Sequence, residues 1–285
     1  MRPLENMRVV TLAVNLPGPL AVARLRQLGA NIIKIEPPDG DPLSRAHPEW
    51  YRELHDGVEI LTLNLKENEG RARLHECLER CDLLLTATRP AALARLGLSW
   101  SELHARYPRL SQVAIVGYLA PDDNEPGHDL TYQARLGLLS PPALPRALIA
   151  DWAGSQDAYS TALALLLARE RGQGCQYRQV SLAKAAESFA QPLHRGLSAP
   201  GGSLGGGFAG YNLYRTRDGW IAIAALEPHF WANVGTELGQ PSPSREQLQR
   251  FFLTRTAAEW EQWARERDLP ISALNPVIPF DEKHA

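Results

Sequence analysis

Three short stretches of this sequence carry side chains that could move a proton. The first is Gly127-His128-Asp129, which follows an acidic run and precedes a predicted helix. The second is Asp151, at the predicted start of the longest helix, and the third is Glu227, where a predicted strand meets a helix. A histidine and a carboxylate on opposite sides of one carbon can exchange its proton, while a second carboxylate orients the imidazole.

Each of these residues also has an ordinary structural interpretation. An aspartate at a helix start commonly caps the free backbone donors, and a glutamate before a proline is a common first-turn acid. His128 can simply be a polar residue near a helix start. In combination, however, they predict an acid/base site for a carbon next to a carbonyl. Backbone N–H groups beside His128 or at the start of the long helix would stabilise the enolate oxygen.

Other chemical motifs in the sequence are weaker. Cys77 and Cys81 lie four residues apart with His75 nearby. Without a paired CxxC spacing, two half-buried residues on one helix face are the favoured interpretation over a metal site. The patterns GGSLG (201–205) and GGGFAG (205–210) match nucleophile and phosphate motifs. Those motifs need a strand before and a helix after, whereas a hairpin is predicted to follow here.

The composition predicts a soluble, cytoplasmic protein. The 285 residues carry a formal net charge of −2, so no nucleic-acid or membrane-surface partner is expected. Three cysteines cannot form a disulfide framework. The start of the chain lacks an apolar signal region, and no apolar run approaches the ~18 residues of a membrane span.

Apolar strands alternate with amphipathic helices through the first part of the chain. The strand-like stretches RVVTLA, NIIKIE, VEILTLNL, DLLLTA and SQVAIVGY predict an α/β domain with a Rossmann-like parallel sheet over residues 1–194. A Gly-rich flexible linker is expected at 195–210 and a smaller α+β domain at 211–270, beginning with a hairpin. Residues 271–285 are expected to form a shortened C-terminal tail. Ligands should bind where the loops gather, at the carboxyl ends of the parallel strands.

Several stretches, in this order, resemble the family III CoA-transferase superfamily, and most closely its α-methylacyl-CoA racemase branch. They are LPGPLAVARLRQLGANIIKIEPPDGDP, LNLKENEGRARL, RPAALARLGLSWSELHARYPRL and ARERGQGCQYRQVSL. The histidine of GHDLTY and the stretch LEPHFW resemble the racemase branch in particular. Transferases of the family usually carry an aromatic residue at the position of His128.

The resemblance implies an activity and a set of site residues. His128 and Asp151 would be the acid/base pair that inverts the α-carbon of a 2-methylacyl-CoA, with Glu227 supporting His128. Coenzyme A would enter as part of the thioester substrate, with no tightly bound cofactor and no metal. The residues implied to contact it are Leu63, Asn64, Lys66, Thr88, Arg89, Arg95 and, through its backbone amide, Asp129. An interlocked homodimer is also implied, so that Glu227 could come from the partner subunit.

Two alternative functions remain open. A family III CoA-transferase would use Asp151 as a nucleophile that forms an acyl-enzyme anhydride. A repurposed, non-catalytic member would bind CoA weakly, because the chain departs from the family near the expected phosphate-binding positions. Pro37 stands in place of a common arginine, HDGVEI replaces an expected Asn-Arg pair, and three acids occupy the loop at 122–125. The absence of one such charge-assisted hydrogen bond to a phosphate weakens binding by about 1.5–3 kcal/mol.

Overall fold

A computed structural model describes residues 1–276, which divide into two compact units. The first unit runs from Met1 to Ala190, and the second begins at Gln191. This division falls within the helix Leu182–His194, near the end predicted for the large domain at residue 194.

The first unit contains the predicted parallel α/β sheet. Its six strands are β1 (Arg8–Thr11), β2 (Asn31–Glu36), β3 (Glu59–Thr62), β4 (Leu83–Thr86), β5 (Ser111–Val116) and β6 (Tyr177–Ser181). They lie in the order β3-β2-β1-β4-β5-β6, and every neighbouring pair is parallel. The strand order therefore reverses direction between β1 and β4, which is where open α/β sheets form a crevice for ligands.

Nine helices belong to the described part of this unit, the last of them extending beyond Ala190. They are α1 (Pro17–Gln27), α2 (Pro42–Ala46), α3 (Pro48–Leu54), α4 (Asn68–Leu78), α5 (Pro90–Arg95), α6 (Trp100–Arg106), α7 (Asp129–Arg135), α8 (Ile149–Glu170) and α9 (Leu182–His194).

Adjacent strand residues point to opposite faces of the sheet, and each face is covered by helices. Val9 belongs to the core formed with α1 and α8. Its neighbour Val10 belongs to the core formed with α4, α5 and α6. Both strand faces are consequently apolar, as the nearly continuous hydrophobic strands predict.

A buried ionic cluster fixes the loop that follows β1. The Lys34 ammonium is fully buried and contacts three acceptors: the Asp41 carboxylate, Glu36 Oε1 at 3.0 Å and His55 Nε2 at 2.8 Å. His55 Nδ1 lies 2.7 Å from a backbone oxygen, so this nitrogen carries the proton and Nε2 accepts from Lys34. Burial, reinforced by the charge of Lys34, lowers the pKa of His55 and keeps it neutral. Asp41 Oδ1 in turn accepts from the amide of Asn15, at 3.0 Å, in the loop after β1.

Between residues 195 and 276, the second unit holds a three-stranded antiparallel sheet and three α-helices. The elements are β7 (Tyr211–Arg215), β8 (Trp220–Ala224), α10 (Pro228–Glu237), α11 (Arg245–Phe252), α12 (Ala257–Arg265) and β9 (Ile271–Ala273). The predicted hairpin is confirmed, since Arg215 pairs with Trp220. The prediction of a tail from residue 271 is wrong at its start, because Ile271 pairs with Ile223 in the sheet. Residues 277–285 of the predicted tail lie outside the described residues.

Residues 195–210, the predicted Gly-rich linker, contain several hydrogen-bonded turns. The amide of Leu204 donates to Leu197 O at 2.9 Å, and Gly202 donates to Ala199 O at 2.7 Å. A Cβ atom added at Gly205 would lie 1.8 Å from Ala199 O. Glycine at position 205 therefore permits close backbone packing that any larger residue would prevent.

Candidate active site

A cavity of about 380 Å³ opens beyond the carboxyl ends of β1, β4 and β5, and His128 and Asp151 both line it. Its other polar walls include Asn15 from the loop after β1, Arg89 from the loop after β4, and Tyr132 on α7. The structure thus brings the two predicted proton-transfer residues into one cavity at the expected edge of the sheet.

The backbone of His128 is held by its own helix. Its amide donates to Thr131 Oγ1 at 3.1 Å, and the same hydroxyl donates to His128 O at 2.8 Å. Tyr132 packs against the preceding glycine, since a Cβ atom added at Gly127 would lie 2.6 Å from the tyrosine ring. The Gly-His pair is therefore constrained by close packing of the loop on α7.

Asp151 lies in the first turn of α8 and does not cap it, contrary to one of the sequence interpretations. The helix begins at Ile149, and Asp129 from α7 supplies the acceptor for its free amides. Asp129 Oδ1 accepts from the amides of Ala150 and Asp151 at 2.6 and 3.1 Å. These two amides are therefore engaged and do not provide the enolate-stabilising donors predicted at the helix start.

Among the predicted amide donors, that of Asp129 is available. It is the first residue of α7, so its amide has no partner within the helix, and no acceptor for it exists in residues 1–276. The amide of His128 is already bonded to Thr131.

The electrostatics of the cavity favour proton transfer near neutral pH. Burial raises the pKa of Asp151 from its ordinary value of 3.8 to about 6, and the neighbouring Asp129 adds to the rise. His128 acts in the opposite direction. A carboxylate with a pKa near the working pH can both take and return a proton efficiently.

Tyr132 is a cavity residue that the sequence analysis did not single out. It is buried, and burial raises its pKa to about 12, with Tyr118 and Asp151 contributing. Its hydroxyl consequently stays protonated and can donate a hydrogen bond. The sequence feature that could have pointed to Tyr132 is its position four residues after His128, one helical turn further along the chain.

A second cavity, of about 450 Å³, lies beside the first at the carboxyl ends of β1 to β4. Four of the residues implied to contact CoA line it together: Leu63, Asn64, Lys66 and Thr88. Val14 lines both cavities, so the two are contiguous along the edge of the sheet.

The remaining predicted CoA-binding residues are placed differently. Arg89 lines the first cavity, with His128, and Arg95 is exposed at the end of α5 and lines neither cavity. Asp123 and Glu125 of the acidic loop also border the first cavity. Pro37 borders the second, where Lys66 is the cation among the lining residues. These two acids of the loop therefore border the cavity of His128 and do not line the cavity of Lys66.

Glu227 belongs to the second unit, where it immediately precedes α10 and is exposed. Its backbone oxygen accepts from the amide of Trp231 at 3.1 Å. Its support of His128 stays a prediction.

Neither a metal cluster nor a membrane span is found in the part of the chain that the structure describes. Residues 1–276 contain no group of three or more histidine, cysteine, aspartate or glutamate side chains arranged to hold a metal ion. None of the helices there is long and apolar enough to cross a membrane. Cys81 is buried, and its thiol donates to Leu83 O at 3.0 Å.

The raised pKa of Asp151 predicts a stabilising substitution. The folded protein holds the carboxyl proton of Asp151 more tightly than the unfolded chain does. The free energy of unfolding therefore falls as the pH rises from about 4 to about 6, and it stays at the lower value above pH 6. We therefore expect Asp151→Asn to raise the free energy of unfolding by up to about 3 kcal/mol at pH 8, and by about half of that at pH 5. Urea unfolding at the two pH values measures the difference.

The exposed Asp56→Asn is the matched control and should change stability by less than about 0.5 kcal/mol. An Asp151→Asn protein less stable than wild type at pH 8 would contradict the expected cost of burying this charge.

Comparison with known proteins shows which family the chain resembles. The family model described as CoA-transferase family III matches residues 4–283. The chain is 30% identical to the α-methylacyl-CoA racemase of Homo sapiens, over 98% of this chain and 78% of that protein. It is 28% identical to a cinnamoyl-CoA:phenyllactate CoA-transferase of Clostridium sporogenes, over 94% of this chain and 77% of the relative. A probable fatty acyl-CoA transferase of Mycobacterium tuberculosis, Rv3272, is 27% identical over 97% and 87% of the two chains.

Solved structures show the same fold. A crystal structure of Rv3272 superposes with a TM-score of 0.83 at 25% identity, covering 97% of this chain and 85% of that one. A CAIB/BAIF family protein of Brucella suis gives a TM-score of 0.80 at 20% identity, over 96% and 84% of the two chains.

Proposed function

Because the chain belongs to CoA-transferase family III, we propose that it inverts the α-carbon of a 2-methylacyl-CoA by proton transfer between His128 and Asp151. The observation that carries this proposal is the shared cavity of the two residues. A histidine at the cavity wall supplies the second proton-transfer group that inversion needs and that a nucleophilic aspartate alone would not need.

The proposed reaction uses two groups on opposite faces of one carbon. One group of the pair removes the α-proton, and the electron pair left behind moves into the thioester carbonyl to give an enolate. The other group, protonated, then delivers its proton to the opposite face and restores the carbonyl. The Asp129 amide and the Tyr132 hydroxyl are the candidate donors for the enolate oxygen. No external oxidant or reductant is required, because the substrate and product are epimers.

The proposed substrate placement follows the two contiguous cavities. The acyl end of the thioester occupies the first cavity, and the CoA portion occupies the second, where Lys66 offers an ammonium for a phosphate. CoA remains a part of the substrate in this scheme. We further propose a homodimer in which Glu227 supports the imidazole of His128.

Removing the ammonium of Lys66 tests this placement of CoA. We expect Lys66→Ala to weaken CoA binding about ten-fold or more, because a charge-assisted hydrogen bond to a phosphate is worth about 1.5–3 kcal/mol. Isothermal titration with CoA at low salt measures the change.

Arg80→Ala is the matched control, since Arg80 is exposed and lines a different cavity. It should bind CoA as wild type does. Equal affinities for the Lys66→Ala and Arg80→Ala proteins would contradict the proposed site. Wild-type protein that binds no CoA at all would favour a repurposed, non-catalytic member.

A CoA-transferase activity is the second candidate, because relatives at 27–28% identity carry that name and Asp151 lines the cavity. In that reaction the Asp151 carboxylate attacks the thioester carbonyl and expels the CoA thiolate. The CoA thiolate would then attack the Asp151 carbonyl of this anhydride, which releases the first acid and leaves Asp151 as a CoA thioester. A different carboxylate would attack that thioester to form a second anhydride with Asp151 and expel the CoA thiolate. The thiolate would then attack the acyl carbonyl of the second anhydride, giving the new acyl-CoA and restoring the Asp151 carboxylate.

One experiment separates the two activities. A single epimer of a 2-methylacyl-CoA is incubated with the protein, and the mixture is analysed by chiral chromatography with and without a free carboxylic acid. The proposal predicts the second epimer without any acid present. Transfer of CoA to the added acid, with no epimer formed, would instead support the transferase.

A further inference from the structure

The Asp129 carboxylate physically joins the two chain segments that carry the proposed proton-transfer residues. Asp129 directly follows His128 in sequence and is 5% exposed. Its side chain reaches the first turn of α8, where Oδ1 accepts from the amides of Ala150 and Asp151 at 2.6 and 3.1 Å. One of the two residues is thus its neighbour in the chain, and the other is its hydrogen-bond partner.

The other carboxylate oxygen is also engaged. Oδ2 accepts from Gln133 Nε2 at 2.5 Å, and the same amide nitrogen donates to Ala147 O at 3.0 Å. Gln133 lies one turn further along α7 and is 1% exposed. Together these two side chains bond α7 to the segment just before α8 and to its first turn.

We propose that Asp129 is a positioning residue, whose carboxylate fixes the first turn of α8 so that Asp151 faces the same carbon as His128. This role rests on the proposed proton transfer. Misplacing a reacting group by about 1 Å can cost about 100-fold in rate. A rigid connection between the two segments accordingly serves the reaction directly, beyond stabilising the helix end.

The carboxylate has a second consequence, because it places a negative charge beside Asp151. This neighbouring charge adds to the effect of burial in raising the pKa of Asp151 to about 6. His128 opposes it, and the other charged or titratable groups lining the same cavity are Arg89, Asp123, Glu125 and Tyr132. Asp129 thereby also makes Asp151 a stronger base.

Two substitutions separate the geometric effect from the electrostatic one. Asp129→Asn keeps an oxygen acceptor for the two α8 amides but removes the charge, whereas Asp129→Ala removes both. Asp157→Asn, on the same helix as Asp151, is the matched control. For each protein we measure α-proton exchange in deuterated water against pH, to obtain kcat and KM.

We expect Asp129→Ala to lower kcat at least 30-fold with little change in KM, and Asp129→Asn to keep kcat at least ten-fold above that of the alanine variant. The acidic limb of the Asp129→Asn pH profile should move down by at least about half a pH unit, since Asp151 then loses its proton more readily. A purely structural role would lower stability and leave this limb unchanged. An unshifted limb, or full kcat in Asp129→Ala, would overturn the proposal.

A readout independent of activity separates failure of this proposal from failure of the proposed function. The ¹³C carboxyl resonance of Asp151, assigned by its loss in Asp151→Asn, is titrated by NMR in the wild-type and Asp129→Asn proteins. A midpoint near 6 that falls in Asp129→Asn supports the electrostatic role even if no exchange activity is found. Equal midpoints would overturn that role even if the enzyme is an active racemase.

Discussion

His128→Ala is expected to slow α-proton exchange of a 2-methylacyl-CoA by about 10²–10⁴-fold, the range that a general acid–base group contributes. The residue lines the same cavity as Asp151, and removing the imidazole leaves a carboxylate on one face of the α-carbon with no partner on the other. Exchange is followed by mass spectrometry of the thioester in deuterated water.

Coenzyme A affinity should be nearly unchanged in His128→Ala, because Lys66 and three other proposed CoA residues line the second cavity. His104→Ala is the matched control, since His104 stacks on Trp100 in α6 and lines neither cavity. Exchange at the wild-type rate in His128→Ala would contradict the assigned role. Loss of all activity in Asp151→Ala together with full transferase activity in His128→Ala would support the transferase.

Lys34→Met is expected to lower the free energy of unfolding by about 3–5 kcal/mol, the largest effect on stability that we predict. Methionine resembles the lysine stem in length but removes the ammonium from a site where both carboxylate partners are buried. Glu36 and Asp41 would then be left without a countercharge, 6% and 0% exposed. Urea unfolding at pH 7 measures the loss.

The exposed Lys184→Met is the matched control, since Lys184 pairs with Glu187 at the surface and such pairs contribute under about 1 kcal/mol. Adding Glu36→Gln to Lys34→Met should recover part of the stability, because one uncompensated charge is removed while an acceptor for Tyr51 remains. If Lys34→Met lowers the free energy of unfolding by less than about 1 kcal/mol, the stability of the cluster does not depend on the ammonium. Because Asp41 also binds the Asn15 amide, we expect slower exchange in any folded Lys34→Met protein.

The parallel sheet could be predicted because its strands are local apolar runs that alternate with amphipathic helices. β9 could not, since Ile271–Ala273 is three residues long and forms only by pairing with β8. The helices α2 and α3 lie in a proline-rich stretch whose composition predicts a loop. The start of α2 is capped by Asp41, whose side chain accepts a hydrogen bond from the amide of Leu43.

Parts of the candidate site could likewise be predicted from the sequence, whereas other parts depend on long-range contacts. His128 and Asp151 could be paired in advance because loops after parallel strands gather at one edge of the sheet. The Lys34 cluster could not be foreseen, because its partners Asp41 and His55 lie 7 and 21 residues away and meet only in the folded chain. The hydrogen bond from the amide of Asp151 to the Asp129 carboxylate likewise spans 22 residues. The sequence pattern instead suggests Asp151 itself as the cap of α8.

Deuterium incorporation at the α-carbon of a 2-methylacyl-CoA is the most direct test of proton transfer between His128 and Asp151. One epimer of the thioester is incubated in deuterated water with the wild-type protein at pH 7 to 8. The two epimers are then separated, and the deuterium content of each is measured by mass spectrometry. We predict one deuterium in the newly formed epimer, produced at a rate that His128→Ala loses. An unlabelled thioester recovered as the starting epimer, under conditions where titration shows CoA to be bound, would contradict the account.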